Sequence, residues 1–118
     1  MPRNISFALT TDQVRQRTKT VTRRLGWQDL KPGTLLQPVV KAQGIPKGGK
    51  VEKIGGPIRV VSVRRERLDA MTESDCAAEG FPCYTAAAFI AMFERHNGCD
   101  LRDEITRIEF EYCDGNES

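Results

Sequence analysis

Short segments with apolar residues at alternate positions recur along the chain and predict strands. They are NISFAL (4–9), TLLQPVVKA (34–42), PIRVVSVRRER (57–67) and EITRIEFEY (104–112), all rich in β-branched or aromatic residues. In the last segment the alternation slips by one position near Thr106, which predicts a β-bulge there. The pattern therefore indicates four strands spread over the whole chain.

Helical patterns lie between these strands. TTDQVRQR (10–17) predicts one or two turns, ESDCAAEG (73–80) a short helix ending before a glycine, and AAAFIAMFERHNG (86–98) the strongest helix of the chain. The residues predicted to cap these helices are Thr10 or Thr11, Thr72 in a capping box with Asp75, and Thr85. In this order the elements indicate an α+β fold, a small mixed or antiparallel sheet curled toward a barrel with helices at one end.

The length and composition predict one globular domain over residues 1–118, because 39% of the residues are hydrophobic and 29% are charged. Within it we expect a flexible glycine- and lysine-rich loop at 44–56 and a disordered tail at 114–118. No stretch is long and apolar enough for a membrane span, and the first residues lack a signal-peptide pattern. We therefore expect a cytoplasmic protein without membrane contact.

The four cysteines do not favour a metal site. They stand at 76, 83, 99 and 113, no two form a C-x-x-C pair, and the chain has a single histidine, His96. Reduced thiols are the simpler interpretation, and we expect neither a metal nor a cofactor. His96 near a helix C-terminus is most simply a favourable end charge.

The net charge of +2 conceals two oppositely charged halves. Residues 1–67 carry 15 Lys/Arg against 4 Asp/Glu, and residues 68–118 carry 3 against 12. A basic half of this kind is typical of a protein that binds phosphates, although the two halves can also fold into one mixed surface.

One apparent nucleotide motif is excluded. GIPKGGKV (44–51) matches G-x-x-x-x-G-K but continues with Val51, where a phosphate-binding loop needs a Ser or Thr hydroxyl for Mg²⁺. The residues that follow, EKIGGP, cannot form the long helix whose N-terminus would face the phosphates. Nucleoside-triphosphate hydrolysis is therefore not expected.

The segment RTKTVTRRLGW (17–27) combines cations with hydroxyl groups. In an extended chain Lys19 and Val21 would share a face, whereas in a helical turn Lys19 and Thr22 would converge. A partly buried lysine with a lowered pKa can accept a hydroxyl proton and make Thr22 a nucleophile. The alternative is that Thr22 caps a turn while Lys19 points to water.

Five blocks in order resemble the ASCH domain, a PUA-like fold: RTKTVTRR, LKPG, IRVVSVRRERL, CAAEGF and RIEFEY. The resemblance extends from about Ile5 to Tyr112 and is greatest to the small stand-alone members found in phages and prophages. It implies a barrel-like sheet with a cleft between the K-T-x-T segment and the helix that carries Glu79. Members of the family are associated with RNA or modified nucleosides.

The resemblance also implies candidate site residues. One enzymatic branch removes an acyl group from N4-acetylcytidine with a lysine, a threonine and a glutamate, which correspond here to Lys19, Thr22 and Glu79. Thr22 would attack the amide carbonyl, Lys19 would take its proton, and Glu79 would orient the lysine or protonate the leaving amine. Candidate contacts to phosphates or bases are Arg17, Thr20, Arg23, Arg24, Trp27, Arg64, Arg65, Phe81 and Tyr84.

The sequence leaves several functions open. Arg23, Arg24 and the loop lysines favour a module that binds single-stranded RNA or a modified nucleotide in a basic cleft. The alternatives are an amidohydrolase of the N4-acetylcytidine type, an RNA-cleaving enzyme, and a host-directed protein binder. The expected ligand is RNA or a nucleoside or nucleotide, and the chain is expected to be a monomer or a dimer.

Overall fold

Five strands form one sheet in the computed structural model, which describes residues 3–41 and 51–113. They are β1 (Arg3–Ser6), β2 (Val21–Arg24), β3 (Leu35–Val39), β4 (Ile58–Arg67) and β5 (Glu104–Tyr112). The order is β1-β3-β4-β5-β2, parallel between β1 and β3 and antiparallel elsewhere. The predicted α+β class is confirmed, and β2 is a strand that the alternation did not predict.

The helices are short. They are α1 (Thr11–Arg15), α2 (Glu73–Ala78) and α3 (Ala86–Asn97), with single 3₁₀ turns at Ala8–Thr10 and Leu68–Ala70. Among the residues described, no helix has the length and apolar character needed to cross a membrane.

Two of the three predicted helix caps form the expected side-chain hydrogen bonds. The Thr72 hydroxyl accepts a hydrogen bond from the Asp75 backbone N–H, and the Asp75 carboxylate accepts one from the Thr72 N–H, forming the predicted capping box. Thr85 caps α3 through the N–H of Ala88. Thr10 occupies the N-cap position of α1, as predicted, but its side chain makes no capping hydrogen bond, and the Thr11 hydroxyl donates to the carbonyl of Phe7.

Strand β1 ends three residues earlier than predicted. The segment 4–9 leaves the sheet after Ser6, where the Phe7 N–H still bonds to Val39 O, and a 3₁₀ turn follows. Phe7 is buried while Ala8 and Leu9 are exposed, so the alternation of the sequence does not continue into the turn. The early end of β1 leaves room beside the edge of the sheet.

The irregularity predicted near Thr106 lies elsewhere. Thr106 pairs regularly with Arg24 and Arg65, and the register shift is on β4 between Val60 and Ser62. The slip in the alternation has another cause, because β5 contributes to two cores. Ile105 packs with α2 and α3, whereas Ile108 and Phe110 pack with β1, β3 and β4.

Part of the predicted loop at 44–56 is packed against the sheet. Ile54 is buried in the core, its N–H bonds to Pro38 O, and Lys53 forms a bridge with Val39. Ile54 thus anchors the end of the predicted loop to the sheet, while residues 52, 53, 55 and 56 are exposed. The remainder of the loop lies outside the described residues, as does the predicted tail at 114–118.

The two edges of the sheet are joined by a side chain. Arg24 on β2 donates from Nη2 to the carbonyl of Ser6 at the end of β1, over 2.6 Å. Because β1 and β2 are the first and last strands in the sheet order, this contact requires the sheet to curl. Within the described residues β1 and β2 do not pair through backbone hydrogen bonds, so the curled sheet is not closed.

Candidate functional site

A cavity of about 140 Å³ lies at the opening between the two sheet edges. One wall is polar and comes from β2, the residues before it and the end of α2: Lys19, Thr22, Arg23, Arg24 and Glu79. The other wall is mainly apolar and comes from the end of β1, the segment after α2, and α3: Phe7, Phe81, Phe89, Met92 and Phe93. The cavity thus offers both hydrogen-bonding groups and aromatic surface to a small ligand.

Lys19 and Glu79 form a buried ion pair in the polar wall. Lys19 Nζ lies 2.7 Å from Glu79 Oε1 and 2.8 Å from the Glu79 carbonyl oxygen, and both side chains are 3% exposed. Burial lowers the pKa of Lys19 below its ordinary value, and the opposing charge of Glu79 does not cancel that effect. Lys19 therefore loses its proton at a lower pH than a lysine in water does.

Arg23 is a second cation that binds the Glu79 carboxylate. Its side chain is fully buried, and its guanidinium contacts three carboxylates: Glu79 at 2.9 Å, Glu66 at 3.1 Å and Asp75 at 3.5 Å. The Glu79 carboxylate therefore lies between Lys19 on one oxygen and Arg23 on the other. This arrangement fixes the carboxylate and leaves it little freedom to turn toward solvent.

Thr22 and Arg24 lie two residues apart on the same face of β2, since side chains alternate along a strand. The Thr22 hydroxyl accepts a hydrogen bond from Arg24 Nε over 3.0 Å. Thr22 is 3% exposed and lines the cavity with Lys19 and Glu79. The structure thus brings the three candidate catalytic residues to one cavity.

Backbone contacts hold the segments that carry Lys19 and Glu79 side by side. The N–H groups of Thr18 and Lys19 bond to the Gln13 carbonyl, and Gln13 Nε2 donates to the carbonyl of Gly80. The Thr20 N–H bonds to the carbonyl of Ala78. Gln13 in α1 therefore contacts both segments and sets the separation of the ion pair.

Gly80 is the residue at which this arrangement is most sensitive to a substitution. Its φ of +98° disfavours any side chain, and an added Cβ would lie 2.8 Å from Gln13 Cγ. We expect Gly80→Ala to lower the free energy of unfolding by about 1–3 kcal/mol, measured by urea denaturation. Gly98→Ala is the matched control, because Gly98 also has positive φ but no neighbour within 4 Å. Equal losses in both variants would show that backbone strain alone matters.

Comparison with known proteins identifies the fold. No family model and no curated protein sequence matches the chain. Among the solved structures that match, two have a TM-score of 0.64 each. An ASCH domain from Lactobacillus crispatus JV V101 is 17% identical, over 92% of this chain and 77% of its own. A protein of the family DUF984 from Enterococcus faecalis V583 is 16% identical, over 94% and 79%. This chain has the ASCH-domain fold.

Two of the arginines predicted to contact a ligand lie in the polar wall of this ASCH-fold chain, and both already bind other groups of the protein. Arg23 is paired with carboxylates and Arg24 with Thr22 and Ser6. Arg64 and Arg65 lie on β4 outside the cavity wall, where Arg64 pairs with Glu66 and Arg65 contacts Glu104 and Thr106.

The predicted aromatic contacts divide into two locations. Phe81 lines the cavity, and Tyr84 packs against it with 4.8 Å between the ring centroids. Trp27 lies in a separate depression, where the guanidinium of Arg3 is 3.9 Å from the centre of its ring. A base in the cavity would therefore meet Phe81 and not Trp27.

Arg17 and Thr20 are exposed on either side of Lys19. Arg17 has a φ of +63°, and its guanidinium lies 5.7 Å from the centre of the Tyr112 ring. The Tyr112 hydroxyl donates to the carbonyl of Lys19, and burial raises the pKa of Tyr112 to about 12. Both candidate residues adjoin the site without lining its cavity.

The helix α3 supplies lining residues that the sequence analysis did not identify. Phe89, Met92, Phe93, His96 and Asn97 face the cavity at intervals of three and four residues. That spacing is one face of a helix, so the signal was present in the sequence. His96 was interpreted only as an end charge, but its place on this face makes it a cavity residue.

Proposed function

We propose that this protein is an amidohydrolase that removes an acyl group from the exocyclic amine of a cytosine nucleoside. The proposal is carried by one observation: a buried lysine–glutamate pair and a threonine hydroxyl line the same small cavity. Core packing gives no reason to bury these polar groups together, since burying charges is costly unless they are paired. An acyl amide is a substrate that a hydroxyl nucleophile with an amine base can cleave.

The proposed reaction assigns a role to each residue. Thr22 Oγ forms a bond to the acyl carbon while its proton passes to the neutral amine of Lys19. The carbon–nitrogen bond then breaks, and the leaving cytosine amine takes that proton from Lys19. Water then adds to the acyl carbon, the bond from that carbon to Thr22 Oγ breaks, and Oγ takes a proton of the water back as the acid is released. Glu79 Oε1, 2.7 Å from Lys19 Nζ, holds the amine in place throughout.

The distribution of charge favours this reaction over binding of a nucleic-acid backbone. Among the described residues, five cations of the basic half pair with carboxylates of the acidic half: Lys19 and Arg23 with Glu79, Arg59 with Glu111, Arg65 with Glu104, and Arg67 with Asp69. Paired cations contribute less to phosphate binding, because a phosphate must displace the carboxylate.

We expect the pure protein to release cytidine and acetate from N4-acetylcytidine, as followed by chromatography. Cytosine ring contacts with Phe81 and hydrogen bonds from the polar wall would position the amide. Glu111→Ala, which removes an exposed carboxylate far from the cavity wall, should leave the rate unchanged. The absence of cytidine at high enzyme concentration would refute the proposal.

The rate should depend on the charge of Lys19. Because burial lowers the pKa of Lys19, the neutral base forms at a lower pH than in water. We therefore expect kcat to rise with pH and to reach a plateau below pH 10.5, the ordinary lysine value. A pH profile of kcat measures this, and a rate that falls steadily as pH rises would exclude Lys19 as the base.

Binding of single-stranded RNA is the second candidate, and the aromatic lining of the cavity supports it. An unpaired base can stack on Phe81, as bases do in other single-strand binders. The test is fluorescence anisotropy with a short labelled RNA over a range of salt concentrations. Affinity that falls steeply with salt and decreases on Phe81→Ala would support binding, whereas no binding at low salt would reject it.

A further inference from the structure

Arg24 differs from the other cation of β2 in its partners. Among the residues described, it makes no ion pair with a carboxylate, whereas Arg23 contacts three. Arg24 instead donates from Nε to the Thr22 hydroxyl and from Nη2 to the carbonyl of Ser6, and its guanidinium lies 4.9 Å from the centre of the Phe7 ring. The structure thus holds a partly buried positive charge against a buried hydroxyl oxygen.

The hydrogen bond determines what the Thr22 hydroxyl can do. One lone pair of its oxygen accepts the Arg24 N–H, so the hydroxyl proton must point away from Arg24. A cation at this position stabilises negative charge on the oxygen more than it stabilises the neutral hydroxyl. Removing the proton from Thr22 therefore becomes easier while Arg24 remains charged.

We propose that Arg24 is the positioning residue of Thr22, which orients its hydroxyl and stabilises the negative charge that develops on Oγ during attack. The inference rests on the proposed function and adds to it a residue with a defined role. Arg24 gives up no proton in the reaction, because the proton of Thr22 still passes to Lys19. Although burial lowers the pKa of Arg24 to about 10, the guanidinium remains charged at neutral pH.

Kinetics of Arg24→Ala on N4-acetylcytidine test the role. We expect kcat to fall about 10- to 10²-fold, as on loss of one hydrogen bond to a charged group, while KM changes little. Guanidinium ion added to the assay should restore kcat at least about 10-fold in Arg24→Ala but not in Thr22→Val. Arg59→Ala, an exposed arginine paired with Glu111, should keep the wild-type kcat. An unchanged kcat per folded molecule in Arg24→Ala would overturn the proposal.

A conservative variant covers the case in which Arg24→Ala does not fold. Arg24→Lys keeps the charge but lacks the planar donor pair that reaches Thr22 and Ser6, so its kcat should fall at least about 10-fold with unchanged KM. A kcat equal to wild type in Arg24→Lys would show that charge alone suffices and that Arg24 does not orient the hydroxyl.

A measurement without substrate separates this inference from the proposed function. In the wild-type protein we expect the Arg24 Nε–H to exchange slowly with solvent by NMR, and Thr22→Val should accelerate that exchange at least about 10-fold. Arg23 is the matched control, because its contacts do not involve Thr22. Rapid exchange in the wild type would overturn the positioning contact. Slow exchange without hydrolysis would refute the reaction and leave the contact standing.

Discussion

Thr22→Val is expected to lower kcat for N4-acetylcytidine at least about 10³-fold, because valine keeps the shape of threonine but has no nucleophile. The cavity walls should remain in place, since β2 is paired along its length with β5. The Arg24 Nε would lose its acceptor, so we expect the free energy of unfolding to fall by about 1–2 kcal/mol. Steady-state kinetics and urea denaturation measure the two effects separately.

Two variants serve as controls for Thr22→Val. Thr22→Ser keeps the hydroxyl and should retain most of the activity. Thr106→Val removes another buried threonine hydroxyl, one that donates to the Gly26 carbonyl outside the cavity, and should affect stability but not kcat. Full activity in Thr22→Val would show that Thr22 is not the nucleophile, and direct attack by water on the acyl carbon would then be the mechanism.

The regular elements were largely predictable because their signals are local. The Thr72–Asp75 capping box and the Thr85 cap depend on residues three positions apart, and both were expected from the sequence. The end of β1 was not predictable, because the apolar Phe7 belongs equally to a strand and to a buried turn. Whether Phe7 lies in a strand or in a turn depends on its packing against Phe110, which is more than 100 residues away.

The site was only partly predictable for a related reason. Lys19, Thr22 and Glu79 were singled out from their residue types and from the family resemblance, and the structure places them at one cavity. The partners of Arg23 were not foreseen, since Glu66, Asp75 and Glu79 lie 43 or more positions from it. Nothing in the local sequence distinguishes an arginine that binds phosphate from one that is buried among carboxylates.

The fold brings segments of the basic and the acidic half of the chain together. The separation of charge along the sequence predicts a basic surface for nucleic acid, with a mixed surface as the alternative. Strands β4 and β5 come from opposite halves of the charge pattern and pair along their length, which places Arg59 beside Glu111. At β4 and β5 the basic half thus faces the acidic half, which supports the mixed surface there.

Burial of the ion pair also changes what a lysine substitution should do. From the sequence alone, Lys19→Ala would be expected to abolish deacylation with little effect on stability. In the structure Lys19 is 2% exposed and neutralises part of the Glu79 charge, so its removal leaves that buried carboxylate with Arg23 as a cationic partner. A loss of both activity and stability is the expected result, and Lys19→Ala by itself cannot separate the two roles.

Glu79→Ala should be the most destabilising of these substitutions, because two buried cations share this carboxylate. Lys19 would keep only the Glu79 main-chain carbonyl, while Arg23 would keep Glu66 and Asp75. Breaking a buried ion pair costs about 3–5 kcal/mol, and we expect a loss of about 3 kcal/mol in the free energy of unfolding.

The decisive measurement is a double-mutant cycle by urea denaturation. Combining Glu79→Gln with Lys19→Met removes both charges of the pair. We expect the double variant to lose about 2 kcal/mol less free energy of unfolding than the two single variants lose together. The exposed pair of Arg59 and Glu111 is the matched control, because solvent screens its charges and its coupling should be below about 1 kcal/mol. Equal coupling in the two pairs would mean that Lys19 and Glu79 do not form the buried contact on which the proposed site depends.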